Sequence, residues 1–381
     1  MILIFVCLLL ACSFEFINGF HDSANAVATV IYTNTLKPTY AVVWSGLCNF
    51  IGVLTGGIGV AMGIVNLLPV EALTDASAAH GIAMVFALLL SAIIWNLGTW
   101  YLGIPASSSH SLIGSILGIG LAFYFINGEN AVNWGKAQEI GLSLLLSPLI
   151  GFGMAIVIMF IFKRLIKNDA IYKEPIPGAT PPLWIRIILT ATCTLVSFFH
   201  GQNDGQKGVG LIMLILIGLV PGYFAIKDTQ DLSDTYKQMS HVTELVYKMD
   251  TTKLSTKENA DILKTKTRCA DLLSILDKKT QVAEIDSAKR FEVRKNILLI
   301  SRSVEKVGLG ENSSLSEKEK TDLVDTIKAS KKITDYAPDW VIILISLSLG
   351  FGTMIGWKRI VKTIGEKIGK QHMSYAQGAS A

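Results

Sequence analysis

Long apolar runs broken by short polar stretches dominate the first 226 residues, and the pattern changes between about 227 and 337. Nearly uncharged runs occupy residues 1–17, 41–65, 81–102, 112–126, 140–162, 183–199, 208–226 and 341–357. A helix of about 20 apolar residues crosses a bilayer, so these eight runs predict about eight spans. The first is short unless its helix continues past Glu15. Between 227 and 337 the apolar residues instead recur at turn-like spacing among charges, as in Ile262, Leu272, Ile275 and Leu276. That is the pattern of amphipathic helices in water, and it predicts a soluble helical insertion. The expected organisation is a membrane region over 1–226, the insertion over 227–337, and a closing membrane helix with a basic segment over 338–381.

Composition agrees with that division. Half of the chain is hydrophobic, 51%, and 17% is charged. Residues 227–335 hold 21 of the 34 basic and 19 of the 30 acidic residues, so the flanks are almost bare of charge. A soluble fold, a fibre and a disordered chain are excluded. The net charge of +4 is small, and acids match the bases of the insertion nearly one for one, which excludes a nucleic-acid partner. The lipid bilayer is the first partner. Lys163, Arg164, Lys167, Lys173 and Arg186 place the loop between the fifth and sixth runs on the cytoplasmic side, and the loop of Glu71 and Asp75 on the other. Four of the five cysteines lie in apolar runs, with no disulfide or zinc spacing, and the insertion has no Gly-rich phosphate loop. No cofactor and no resident metal are expected.

Ionisable groups within membrane runs are costly and are functional candidates by default. Two stretches carry them: Asn18 to Ala28, with His21, Asp22, Ser23 and Asn25, and Phe198 to Gly210, with His200, Asn203, Asp204, Gln206 and Lys207. Superposing Asp22 on Asp204 also superposes Val27 on Val209 and sets Asn25 against Lys207. Each stretch reads as a polar interruption of a membrane helix, and paired interruptions in two halves of a chain point to a transport site near the midplane. A third stretch, Pro105-Ala106-Ser107-Ser108-Ser109-His110, lies between apolar runs. Pro105 is expected to end one helix, and hydroxyls beside the free N–H groups of the next form a donor ring suited to a tetrahedral oxyanion. His110 reads as a hydrogen-bonding strut more than as a ligand.

These residues carry a resemblance. Gly19 to Ile31, Ile94 to Tyr101, Pro105 to His110, His200 to Gly210, and Thr353 to Arg359 with Thr363 to Ile368 are together similar to the Pit family of inorganic phosphate transporters, most of all its bacterial low-affinity members. The resemblance implies an all-α polytopic protein of the bacterial cell (inner) membrane. It would be an inverted-repeat transporter with broken helices, working as a cation-coupled phosphate symporter and not as an enzyme. On the matching positions, Ser23, Asn25, Ser107, Ser108, Ser109, Asn203 and Gln206 would bind phosphate, and Asp22, Asp204 and Lys207 would serve coupling. The family also implies protons as the coupling ion and acceptance of phosphate as a complex with a divalent metal ion. The second repeat lacks a counterpart of the Pro-Ser-Ser-Ser-His hairpin, so it reads as incomplete and the chain as C-terminally truncated. A homo-oligomer is compatible with all of this.

The Asn25 to Lys207 replacement gives a physical reason to favour protons over sodium. Lys207 puts a fixed ammonium beside Asp204, where a symmetric site would offer a second amide oxygen to a small cation. Two other readings are weaker: an intramembrane hydrolase using one of the three serines, for which no Gly-x-Ser-x-Gly elbow exists, and a membrane-anchored interaction protein working through residues 227–337.

Overall fold

A computed structural model of the chain describes residues 2–66, 78–127, 134–173, 175, 180–310, 313–364 and 373–380. The described residues are helical, with no strand among them. They divide into two compact units, Met1–Ile215 with Ala337–Ala381, and Leu216–Tyr336. The loop of Glu71 and Asp75 and the stretch from Gly365 to Ile368 lie outside the described residues.

In the first unit the long helices are α1 (Ile2–Tyr32), α2 (Pro38–Thr55), the short α3 (Gly59–Val65), α4 (Ala78–Leu102), α5 (Ser108–Asn127), α6 (Trp134–Leu165) and α7 (Leu183–Leu219). Five helices among the described residues are long and apolar enough to cross a membrane, and α2 with α3, bent by 75°, makes up to six. The eight runs therefore overcount. Runs 183–199 and 208–226 share α7, whose 37 residues extend over about 56 Å. Likewise α1 runs through Glu15 and on past Asp22.

The two polar stretches are consequently not interruptions. Asp22 and Asp204 both sit inside unbroken helices, because each helix collects its polar residues on one stripe. The breaks fall elsewhere, at the bend between α2 and α3 and between α4 and α5. Gly103, at φ +69°, ends α4: its N–H donates to the Trp100 carbonyl at 2.9 Å and the Ile104 N–H to the Thr99 carbonyl at 2.8 Å. This Schellman stop precedes Pro105, so the glycine ends the helix and the proline keeps it from resuming.

Helix α12 (Asp339–Ile355) packs between α1 and α2. A Cβ on Gly352 would lie 2.0 Å from the Phe16 carbonyl oxygen, so only glycine lets these backbones meet, as small residues do at membrane helix interfaces. Beyond α12 comes α13 (Lys358–Lys362). Here the Trp100 indole donates to the Gly356 carbonyl at 2.8 Å and the Arg359 guanidinium to the Tyr101 carbonyl at 2.8 Å, joining two of the sequence motifs. Leu145, Leu149, Phe152 and Phe160 of α6 are exposed, which suits hydrocarbon as the surrounding solvent.

The second unit holds α8 (Leu232–Lys248), α9 (Thr256–Leu276), α10 (Ser287–Ser303) and α11 (Glu317–Ser330). Met239, Val242, Ile262, Leu272, Val293, Ile297, Leu323 and Ile327 form its core. Ser255 with Glu258 and Ser316 with Glu319 make capping boxes that start α9 and α11.

Candidate transport site

On α1, Glu15, Asn18 and Asp22 follow at spacings of three and four, and on α7 so do His200, Asp204 and Lys207. Residues so spaced share one face of a helix. The two stripes meet. Asp204 Oδ1 lies 2.6 Å from Lys207 Nζ, and its Oδ2 accepts from Asn18 Nδ2 at 3.5 Å. His200 Nε2 stands between the aspartates, 3.2 Å from Asp22 Oδ2 and 3.4 Å from Asp204 Oδ2, at ion-pair distance but at angles that form no hydrogen bond.

The histidine is held from behind. Asn49 of α2 donates its amide N–H to Thr353 Oγ1 at 3.0 Å, which leaves Asn49 Oδ1 to accept from His200 Nδ1 at 2.9 Å. Nδ1 is thereby the N–H side of the ring, and Nε2 is the side that faces the carboxylates. Nε2 thus lies within ion-pair distance of two acids on different helices.

The start of α5 completes the cluster. Ser108, buried, donates to Asn18 Oδ1 and lies 3.2 Å from Asp22 Oδ2. The Lys207 ammonium donates to Ser109 Oγ. Ser107 instead caps its own helix, accepting from the His110 N–H at 3.4 Å and pairing with His110 Nδ1 at 2.8 Å. Both residues face a separate groove of about 840 Å³ between α4 and α5, also lined by Ser91, Trp95, Ser111 and Ser115.

Of the ten residues named from sequence, Asp22, Asp204, Lys207, Ser108 and Ser109 come together. Five do not. The Ser23 hydroxyl turns back to the Phe20 carbonyl at 3.4 Å, and Asn25 and Asn203 are exposed. Ser107 is the cap just described. Gln206 spends both ends of its amide elsewhere, Oε1 accepting from the Val60 N–H at 2.8 Å and Nε2 donating to the Gln202 carbonyl at 2.8 Å. It thus satisfies backbone freed by the α2–α3 bend. Glu15, Asn18, Asn49 and His200 join the cluster without having been named as site residues. Helical spacing from Asp22 and Asp204 could have found all but Asn49. His21, four residues before Asn25, ties α1 to α4 through the Asn96 carbonyl at 2.8 Å.

A bundle of membrane-spanning helices with its charged side chains gathered around one buried point is the architecture of a membrane transporter. Comparison with known proteins gives the family. Residues 18–381 match the model of the phosphate transporter family. The low-affinity inorganic phosphate transporter of Buchnera aphidicola (subsp. Acyrthosiphon pisum, strain APS) is 41% identical over 406 aligned residues, covering all of this chain and 82% of that relative. The low-affinity inorganic phosphate transporter PitA of Escherichia coli (strain K12) is 40% identical over 419, covering 98% of this chain and 82% of that protein. A probable low-affinity inorganic phosphate transporter of Bacillus subtilis (strain 168) is 37% identical over 216, covering 57% and 60%. The chain belongs to the phosphate transporter family, a family of transporters and not of enzymes, and is an integral, multi-pass protein of the bacterial inner membrane.

Proposed function

We propose that the chain moves inorganic phosphate across the membrane together with protons, at the point where α1, α7 and the start of α5 meet. One observation carries the reading: the Lys207 ammonium is clasped between Asp204 and Ser109. A fixed cation, two serine hydroxyls and the free N–H groups at the start of α5 offer a tetrahedral oxyanion charge and directed donors together. Ser108, Ser109 and Lys207 form the phosphate-binding group. Asp22 and Asp204, with His200 between them, are the acidic groups that balance charge as the anion enters and leaves.

Proton coupling follows from the same ammonium. A sodium ion needs several oxygen ligands, and at Asp204 the ammonium already fills the position such an ion would take. Protons need only carboxyl and imidazole groups that exchange them. Reconstituted in liposomes, the chain should accumulate labelled phosphate when the outside is acid, with or without a sodium gradient. Uptake that follows sodium and ignores the pH gradient would overturn the coupling. No saturable phosphate uptake under either gradient would overturn the substrate. The same assay with and without magnesium decides whether phosphate travels as a metal complex.

A further inference from the structure

One acid of the cluster has no role in this account. Glu15, on α1 one turn before Asn18, is wholly buried. Its Oε2 accepts from Asn18 Nδ2 at 3.1 Å, and its Oε1 has no hydrogen-bond partner among the described residues. It packs directly on α7: a Cβ at Gly208 would fall 2.3 Å from Glu15 Cγ and 2.9 Å from Oε1, so the glycine makes the space the carboxyl fills. The charges that reach it are Lys207, Asp204 and His200 of α7, with the Cys12 thiol one turn away on its own helix.

The three acids differ in what neutralises them. Asp204 is paired with Lys207. Asp22 lies 3.2 Å from Ser108 Oγ and faces His200. Among the described residues Glu15 makes no ion pair, and a carboxylate buried without one is costly, whereas a carboxylic acid is much less so. We infer that Glu15 is the group that holds the transported proton. The inference rests on the proton-coupled reading above and names the atom-level site of that proton.

The geometry also says why proton and phosphate would move together. With Glu15 neutral, Lys207 stays on Asp204 and Ser109 and presents its charge to the anion. When Glu15 gives its proton to water on the far side, one new negative charge is left in the cluster, and Lys207 is the ammonium within reach of it. Drawing Lys207 toward Glu15 leaves Asp204 bare where phosphate sits, and the anion is expelled. Returning the proton to Glu15 from water on the near side restores the receptive site. Each ligand thus favours the binding of the other, which is the thermodynamic content of symport.

Glu15→Gln keeps the shape of the neutral acid and cannot release a proton. In proteoliposomes it should lose pH-gradient-driven phosphate accumulation by about tenfold or more while phosphate exchange at equal pH falls by only about twofold. In infrared spectra of the unsubstituted chain at neutral pH, a carboxylic C=O band should be present that Glu15→Gln removes and Glu15→Asp shifts. Full accumulation by Glu15→Gln, or loss of exchange and accumulation alike in protein that remains monodisperse, would overturn the proposal. So would absence of the band. Uptake by the unsubstituted chain that ignores pH would remove proton coupling itself, and this role with it. Uptake that follows pH without the band would remove Glu15 alone.

Discussion

Two lysine–carboxylate ion pairs of similar local geometry stand in different surroundings. Lys207 and Asp204 on α7, and Lys320 and Glu317 on α11, are each three residues apart on one helix, with nitrogen and oxygen 2.6 Å and 2.8 Å apart. Their surroundings are opposite. The first pair is 13% exposed at both side chains, whereas in the second Lys320 is 21% and Glu317 90% exposed. Water screens the second pair and hydrates either partner alone, so it contributes about 0–1 kcal/mol. The first is confined, and losing one partner strands the other. Similar local geometry thus yields a more solvated contact in one unit and the anchor of the proposed transport site in the other, and the dielectric makes the difference.

The largest expected effect breaks the confined pair. Asp204→Asn leaves the Lys207 ammonium without its carboxylate, and Lys207→Gln leaves Asp204 with only His200 and the Asn18 amide beside it. Breaking a buried pair from one side costs about 3–5 kcal/mol, so both variants should melt well below the unsubstituted chain in detergent. The double variant should recover part of that loss, since no charge is then stranded. Recovery is the informative readout. If the double variant melts as low as the sum of the singles, the two charges do not interact and the site is not organised around their pairing.

A buried cation in the other unit sharpens the contrast. Arg294 is wholly buried, its Nη1 donating to the Ala225 carbonyl at 3.2 Å and the Thr334 carbonyl at 2.5 Å. Burial lowers its guanidinium to about 10, partly offset by the Asp335 carboxylate. It holds two backbone segments together, while its Nε and Nη2 have no hydrogen-bond partner among the described residues. Arg294→Ala should cost about 2–4 kcal/mol through the emptied volume and two abandoned carbonyls, measured by chemical unfolding. Phosphate transport in variants that still fold should be unaffected, whereas Lys207 variants lose it.

What was legible in the sequence follows the same division. Hydrophobic length marks a membrane helix whatever it packs against, so α1, α4, α5 and α6 could be read from runs alone. The two polar stretches misled because a run is one-dimensional. His200, Asp204 and Lys207 look like an interruption along the chain, yet at four- and three-residue spacing they are one stripe of an unbroken α7. Gln206 shows the limit of motif reasoning. It sits between two site residues in sequence but points from another face, toward Val60, whose freed N–H no linear pattern announces. Asn49 was invisible for a related reason: it touches His200 across 151 positions of chain.

A smaller effect tests how a histidine behaves when water is near. His241 Nε2 lies 2.6 Å from Asp322 Oδ2, and Nδ1 lies 3.8 Å from Glu244 Oε2, all on the exposed side of α8 and α11. The hydrogen bond to Asp322 raises the pKa of His241. Because the charged ring is the favoured form, its contribution to stability is complete below about pH 6.5 and fades as pH rises through the elevated folded value. Asp322→Asn should bring the titration midpoint of His241 down, followed by ring-proton NMR, and flatten that part of the stability profile. An unchanged midpoint would mean the contact does not persist in solution. His200, between two acids and 17% exposed, has less freedom to trade its partners for solvent.

The smallest expected effect closes the comparison from its other end. Lys320→Ala removes an ammonium whose side chain is 21% exposed, while Glu317, in the first turn of α11, keeps its hydration and its favourable place at a helix N-terminus. The cost should be no more than about 0.5 kcal/mol. Salt gives the sharper reading. At about 1 M salt the screening length falls to about 3 Å, so the difference between Lys320→Ala and the unsubstituted chain should vanish. The penalty of Lys207→Gln should persist there, because screening ions do not enter the contact between α1 and α7. A Lys320 penalty as large and as salt-resistant as that of Lys207 would mean that spacing along the helix governs both pairs, and that burial does not distinguish the proposed transport site from the surface.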